Sequence, residues 1–245
     1  MRSHGGDGTA PHNPFVDSDP ANGVDPVILA QWETWFSAMD QADITILFVF
    51  YDDGSLVWDT GDAVGAEEQL FIQTLVDTFE HHDHLIWYVA EDDPQAFSTA
   101  RTSAIAAAIR AADDRDHPIG AIRWTASSFD LGTDPAVDQL AWNTTASTAG
   151  AFHDQMVTLV EQAAGAYNVH HYNANNLGSG AVARRAAWGL AMGGGYATLS
   201  THALDTVTVE DLEDCGRVRE FMEAADLSGM RPHDELAWGS TEWGL

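Results

Sequence analysis

Apolar runs and amphipathic segments alternate along this 245-residue chain at a regular spacing. Ile44-Thr45-Ile46-Leu47-Phe48-Val49-Phe50 is a nearly unbroken apolar run closed by Tyr51-Asp52-Asp53-Gly54, the pattern of a strand buried on both faces and followed by a turn. Over residues 67–79, Leu70, Phe71, Leu75, Val76 and Phe79 recur at helical spacing. Glu67 and Glu68 suit the helix N-terminus, where the macrodipole favours acids. Residues 85–90 read as a second strand, and the alanine-rich stretch 98–112 as a helix with Ser98 as its cap. Strands follow at 119–124, 137–142, 167–172 and 196–199, with helices at 151–164, 182–192 and 209–225. Strands separated by helical segments mean βαβ units on a parallel sheet. Six such units are predicted, the third the least clearly marked. No internal repeat or dividing linker is visible, so a single domain is expected, with 1–30 an irregular N-terminal segment and 31–245 the sheet and its helices.

Six consecutive units suit either an open doubly wound sheet or part of a (β/α)8 TIM barrel. The doubly wound class carries a glycine-rich phosphate loop between a strand and a helix. Here Met192-Gly193-Gly194-Gly195 comes at a helix end before a strand, the wrong order, and reads as an αβ turn with left-handed residues. The expected fold class is therefore α/β of the TIM-barrel type, incomplete at about six units.

Composition narrows the partners. Ten Lys+Arg against 38 Asp+Glu gives 10 − 38 = −28, and all ten cations are arginine. A polyanion of this size repels phosphate backbones and anionic lipid surfaces, so no nucleic acid and no membrane partner is expected. Absence of lysine with abundant aspartate suits a protein kept soluble in concentrated salt. The single cysteine, Cys215, leaves no intramolecular disulfide and no cysteine-rich zinc site. No apolar run approaches the roughly 18 residues of a spanning helix. Residues 1–14 are polar and show no export signal, which makes the cytoplasm the default location.

In a barrel, chemistry gathers at the C-terminal ends of the strands. Those ends offer Asp52, Asp53 and Trp58, then Glu91, Asp92 and Asp93, then Trp124, then Trp142 and Asn143, then Asn173, Asn175 and Asn176, and finally His202. Carboxylates, amides and indoles on one rim suit a carbohydrate: indole faces stack on sugar rings while the polar groups bond hydroxyls. Each tryptophan alone is more often a core residue, and their recurrence at strand ends is what points to a rim. His81-His82-Asp83-His84 falls between a helix and a strand, on the stability face of a barrel, and reads as a complement to the helix C-terminal charge. Adjacent strand residues point to opposite faces, so His170 and His171 cannot share one ion. Neither a metal nor a cofactor is expected, and no GxSxG elbow supports a serine nucleophile.

Trp87-Tyr88-Val89-Ala90-Glu91 resembles the strand-four signature of the large retaining glycosidase clan built on (β/α)8 barrels. Asn13-Pro14-Phe15-Val16-Asp17, Gln31-Trp32-Glu33-Thr34-Trp35-Phe36, Phe50-Tyr51-Asp52-Asp53-Gly54, Ala111-Ala112-Asp113, Asp116-His117-Pro118 and Asp214-Cys215-Gly216-Arg217 are similar to pieces of one uncharacterised glycosidase-like barrel family. Its members often carry a trailing β-sandwich assigned to collagen binding. The resemblance runs from about Asn13 to the end and implies hydrolysis of O-glycosidic bonds, with Glu91 as general acid/base and Trp87 lining its pocket. It also allows a secreted enzyme.

Two departures stand out. The match begins just before the family's third strand, which implies a fragment or a barrel closed by other means. An open sheet edge would then favour self-association. Asn173 falls where the family carries its nucleophilic glutamate, and an amide cannot form the covalent intermediate. Ala90 also replaces the asparagine that would precede Glu91. The second carboxylate then falls to Asp52 or Asp53 and an inverting route. Three readings stay open: a glycoside hydrolase, a catalytically silent carbohydrate-binding or scaffold barrel, and a gene fragment with no independent function. Among the strand-end residues, Asp53, Trp58, Trp87, Trp124, Trp142, Asn175 and His202 are assigned to the substrate, and Glu91, Asp52 and Asn173 to the reacting centre.

Overall fold

The computed structural model describes residues 14–51, 57–91, 97–124, 129–144, 146–172, 180–197, 208–225 and 230–236. Contacts gather into two compact units, one comprising residues up to 123 with 130–139, the other 124–129 with 140 onward.

The first unit begins with α1 (Pro26–Asp40), whose start is written locally. The Asp25 carboxylate caps it by accepting the Val27 N–H at 2.8 Å, and Pro26 occupies the first turn, where its missing donor costs nothing. The helix therefore starts inside the segment expected to be irregular. Trp32 and Phe36 turn inward, with the Phe36 ring 4.6 Å from Phe79 and 6.0 Å from Phe48. β1 (Ile46–Tyr51) starts two residues later than its apolar run. Ile44 is instead half exposed and donates its N–H to the Met39 carbonyl at 3.0 Å, closing the end of α1.

α2 (Ala66–Phe79), β2 (Leu85–Ala90), α3 (Thr99–Ala112) and β3 (Ile119–Trp124) follow within about a residue of the predicted bounds. Ser98 caps α3 by accepting the Arg101 N–H at 3.0 Å. β1 and β2 pair in parallel with Val49 opposite Tyr88 and Tyr51 opposite Ala90, and β2 pairs β3 with Tyr88 opposite Gly120. Gly120 is a packing requirement. A Cβ there would lie 2.2 Å from the Tyr88 ring, which crosses this position so that its hydroxyl accepts the Gln139 amide N–H at 2.5 Å.

The third predicted unit differs from expectation: no helix occurs among residues 129–138. Aspartates organise turns there instead. Asp134 accepts the Ala136 N–H at 2.9 Å, and Asp138 accepts the Ile119 N–H at 2.8 Å and pairs with Arg110.

The second unit holds β4 (Gln139–Asn143, whose first residue belongs to the first unit), α4 (Ala149–Ala163), β5 (Asn168–His171), α5 (Ala181–Met192), β6 (Tyr196–Ala197) and α6 (Val209–Ala224). Leu140, Trp142 and Val169 of the strands pack on Phe152, Met156 and Leu159 of α4 and Leu190 of α5. The triple glycine is the expected αβ turn, with Gly194 at φ +86°. It also admits Met156, whose sulfur would lie 2.1 Å from a Cβ at Gly195.

Within each unit the strands neighbour one another in chain order, β1-β2-β3 and β4-β5-β6. That is the order of a (β/α)8 barrel, whereas doubly wound sheets reverse at a switch point. The fold is α/β of the incomplete TIM-barrel type. No helix among the described residues is long and apolar enough to cross a membrane.

Candidate active site

The C-terminal end of β1 is held from below by a buried charge cluster. Glu68, in the first turn of α2, is fully buried and takes two bonds from the Arg101 guanidinium, at 2.6 and 2.7 Å. The Tyr51 hydroxyl donates to the same carboxylate at 2.6 Å. Burial, and then the Glu68 charge, pushes the Tyr51 phenol well above its ordinary range, so it stays a donor. Arg101 also bonds the Ala63 carbonyl and the Thr60 hydroxyl, tying the chain before α2 to the start of α3. Fork-to-carboxylate pairing of this kind fixes geometry as well as charge.

Two candidate residues meet Tyr51. Glu91 is half-buried, directly follows β2 and donates its N–H to the Tyr51 carbonyl at 2.9 Å, so the ladder runs through it. Trp58 packs edge-on against the Tyr51 ring at 6.4 Å, beside Phe71 at 5.1 Å and Phe15 at 5.8 Å. Its buried indole N–H has no acceptor among the described residues. At the end of β3, Arg123 is buried and pairs with Asp130 at 3.0 Å, while Asp130 also accepts the Thr99 hydroxyl. Burial pushes Asp130 up, but bonds from Thr99 and Arg123 outweigh it and hold the carboxyl below its usual range.

Two tryptophans expected on the rim are core residues. Trp87 is fully buried, its ring 5.4 Å from Phe48 and 5.5 Å from Phe50, and its indole N–H donates to Asp113 at 3.2 Å. Asp113 caps the C-terminus of α3, so this indole is anchored toward the end of the sheet away from the strand tips. Alternation along β2 puts Val89 on the face of Trp87 and Tyr88 with Ala90 on the other. Full burial and the bond to Asp113 make Trp87 a core residue. Trp142 is equally buried, within the cluster formed by Phe152 and Met156, and its N–H has no acceptor among the described residues.

The second unit adds buried imidazoles. The His171 ring lies 5.1 Å from Trp142 and 5.3 Å from Phe152, and neither ring nitrogen has a hydrogen-bond partner among the described residues. Burial pushes His171 down to about 4. Burial and the neighbouring His171 push His170 down to about 3. Both are neutral near pH 7. Asn143 is buried and spends its side-chain oxygen on the Thr144 N–H at 2.8 Å.

The backbone of Trp124 ends β3, and its side chain lies outside the described residues, as do Asp52, Asp53, Asp92, Asp93, Asn173, Asn175, Asn176 and His202. Sequence reasoning missed the Tyr51–Glu68–Arg101 cluster. The available signal was an arginine in the first turn of an alanine-rich helix, in a chain with only ten cations. A guanidinium buried there requires a carboxylate.

No family model matches the chain, and no curated protein matches it. Solved structures do share its architecture. A candidate glycoside hydrolase from Bacteroides vulgatus ATCC 8482 superposes with a TM-score of 0.56 at 16% identity, over 91% of this chain and 48% of its own. A second protein, named glycoside hydrolase, gives 0.51 at 11% identity over 90% of this chain and 72% of its own. The chain thus spans about half the length of the first of these. At such identities the likeness is one of fold: this is a glycoside hydrolase-like architecture.

Proposed function

We propose that this chain is a glycoside hydrolase-like protein that engages carbohydrate at the C-terminal ends of its strands, with Glu91 as the general acid/base. The observation that carries this is the ladder bond from the Glu91 N–H to the Tyr51 carbonyl. It keeps Glu91 on the last rung of two adjacent parallel strands, the end at which barrels of this class keep their chemistry. Resemblance of Trp87-Tyr88-Val89-Ala90-Glu91 to the retaining-clan signature supports the assignment. Membership of that clan, like adaptation to concentrated salt, rests on the sequence.

Asp52 is the candidate second carboxylate, because it directly follows the Tyr51 that pairs with Ala90. With Asn173 in place of the clan's nucleophile, the chemistry open to this chain is inverting hydrolysis: one carboxyl protonates the leaving oxygen and the other activates water. Trp58, beside Tyr51, is the aromatic assigned to the sugar, with Asp53, Trp124, Asn175 and His202 as further contacts.

A second reading, a catalytically silent carbohydrate-binding barrel, is favoured by the burial of Trp87 and Trp142, which leaves fewer indoles for the rim. The test is hydrolysis of a panel of plant and microbial oligosaccharides by wild type, E91Q and D52N. General acid–base catalysis is worth about 10²–10⁴-fold, so E91Q should lose at least 100-fold in kcat while retaining the fold. Unchanged turnover in E91Q sinks the assignment of Glu91. Saturable binding of an oligosaccharide by a wild type that hydrolyses none of them selects the silent barrel.

A further inference from the structure

The histidines between α2 and β2 have partners beyond the end of α2 that their position in the sequence suggested. They face carboxylates on α1. The His81 Nε2 lies 3.1 Å from Glu33 Oε1, and the His82 Nε2 lies 3.1 Å from Glu33 Oε2. Ligand atoms from Glu33, His81 and His82 all fall within 4.8 Å of one another. Adjacent residues can converge here because the chain is in a turn, free of strand alternation. Their ring centroids lie 4.1 Å apart with the planes tilted by 36°.

We propose that Glu33, His81 and His82 form a structural Zn²⁺ site that clamps α1 to the α2–β2 turn. Two imidazoles and a carboxylate are a recognised zinc donor set, with a water completing the tetrahedron. Bond lengths of about 2.0–2.1 Å separate tetrahedral ligand atoms by about 3.3 Å. Here each imidazole nitrogen lies 3.1 Å from a different Glu33 oxygen, and one ligand atom from each of the three residues falls within 4.8 Å of the others. Imidazole nitrogens disfavour Ca²⁺ and Mg²⁺, which take oxygen.

The surroundings meet the further demands of such a site. A metal-bound histidine presents its second nitrogen to a carboxylate or carbonyl. The His82 Nδ1 faces Asp40 Oδ2 at 3.9 Å, and Asp40 also faces the His84 Nδ1 at 3.5 Å. Glu33 and Asp40 lie seven residues apart on α1, two helical turns, and so share one face. The Ser37 hydroxyl, between them, donates to Glu33 at 3.0 Å. The turn is itself anchored from the core: the His82 carbonyl accepts from His117 Nε2 at 3.0 Å, and His117 Nδ1 pairs with Asp113 at 3.0 Å. His82 is buried while half of the His81 side chain is exposed, which leaves an entry path. The site lies at the N-terminal ends of the strands, away from Glu91, so its role is to hold α1 rather than to take part in chemistry.

The experiment titrates the EDTA-treated full chain with ZnCl₂, following heat of binding and thermal unfolding, and repeats it with Co²⁺ as a visible-absorption probe. The expected result is one zinc per chain and a Tm rise of about 5–10 °C at a hundredfold excess over Kd. Tetrahedral Co²⁺ bands should appear and be displaced by zinc. H81A removes an exposed ligand, so its metal-free Tm should match wild type while its zinc affinity falls at least about 100-fold. E33Q should lose affinity in the same way. D40N, which acts through His82, should weaken binding about tenfold at unchanged stoichiometry. Absence of saturable uptake by wild type overturns the proposal, as does a zinc-induced Tm shift that survives intact in both H81A and E33Q.

Discussion

Trp87 in the first unit and Trp142 in the second occupy comparable places, each buried on the helix-packed face of a parallel strand. Their indole N–H groups fare differently. Trp87 donates to Asp113, which also accepts the backbone N–H groups of Arg115 at 3.0 Å and His117 at 2.8 Å. Among the described residues Trp142 packs with Phe152, Met156 and Leu140, and neither its N–H nor the neighbouring His171 ring has a hydrogen-bond partner. Around Trp87 the first unit buries polarity by pairing it. Around Trp142 the second buries neutral nitrogens that have no partner among the described residues. Pairing fixes register and position, and suits the unit that presents Glu91. Unpaired burial costs free energy whenever a proton arrives.

The largest break in that contrast comes from the Glu68 cluster. Arg101→Ala strands a fully buried carboxylate that keeps only the Tyr51 hydroxyl, and removing one partner of a buried ion pair typically costs about 3–5 kcal/mol. Guanidinium unfolding should show this loss. Replacing both partners at once, as E68L/R101M, should recover most of it, because no lone charge remains. A loss below about 1 kcal/mol in Arg101→Ala would mean that the pair holds nothing in place.

A direct comparison uses one substitution in both units. Trp87→Phe withdraws a donor from buried Asp113 and should cost about 1–3 kcal/mol above the cavity left by the smaller ring. Trp142→Phe withdraws an N–H that bonds nothing among the described residues, so it should cost the cavity alone and remain milder by about 1 kcal/mol or more. Equal losses in the two variants would erase the distinction between paired and unpaired burial.

How much of this was legible depends on what each position needed to know. β2 and β3 were readable because both of their faces are covered, which makes the run continuous and the boundary sharp. The start of α3 was readable because its cap is local: Ser98 bonds Arg101, three residues on. The start of α1 was equally local in Asp25-Pro26, yet exposed Val27 blurred the amphipathic pattern behind it. The turns replacing a helix before β4 depend on Asp134 and Asp138, whose carboxylates could equally have capped a helix. The place of Glu91 directly after β2 followed from strand position alone. Trp87 did not, because period-two alternation shows which residues share a face but not which face meets helices. Its partner Asp113 lies 26 residues downstream. Long-range pairings of this kind leave no spacing rule in the sequence.

The smallest expected effect is a pH dependence that separates the two strategies. The imidazole of His171 would ordinarily take up a proton near 6.5, and in the folded chain holds it off until about 4. The unfolded chain therefore binds more protons across that window, and stability falls as the pH drops from about 6.5 toward 4. At pH 5.5 this amounts to about 1 kcal/mol for His171. Asp113 behaves differently: burial raises it, but bonds from His117 and the backbone hold it below its ordinary 3.8. Its contribution is intact above 3.8 and is lost only as the pH falls through the lower folded value. Acid should thus weaken the protein in two stages, the first set by buried His171 and the second by paired carboxylates. His171→Phe keeps an aromatic ring of similar size and removes the proton. Guanidinium midpoints at pH 7.5 and 5.5 should converge in this variant relative to wild type. An unchanged gap between the two midpoints would assign the early acid sensitivity to other groups.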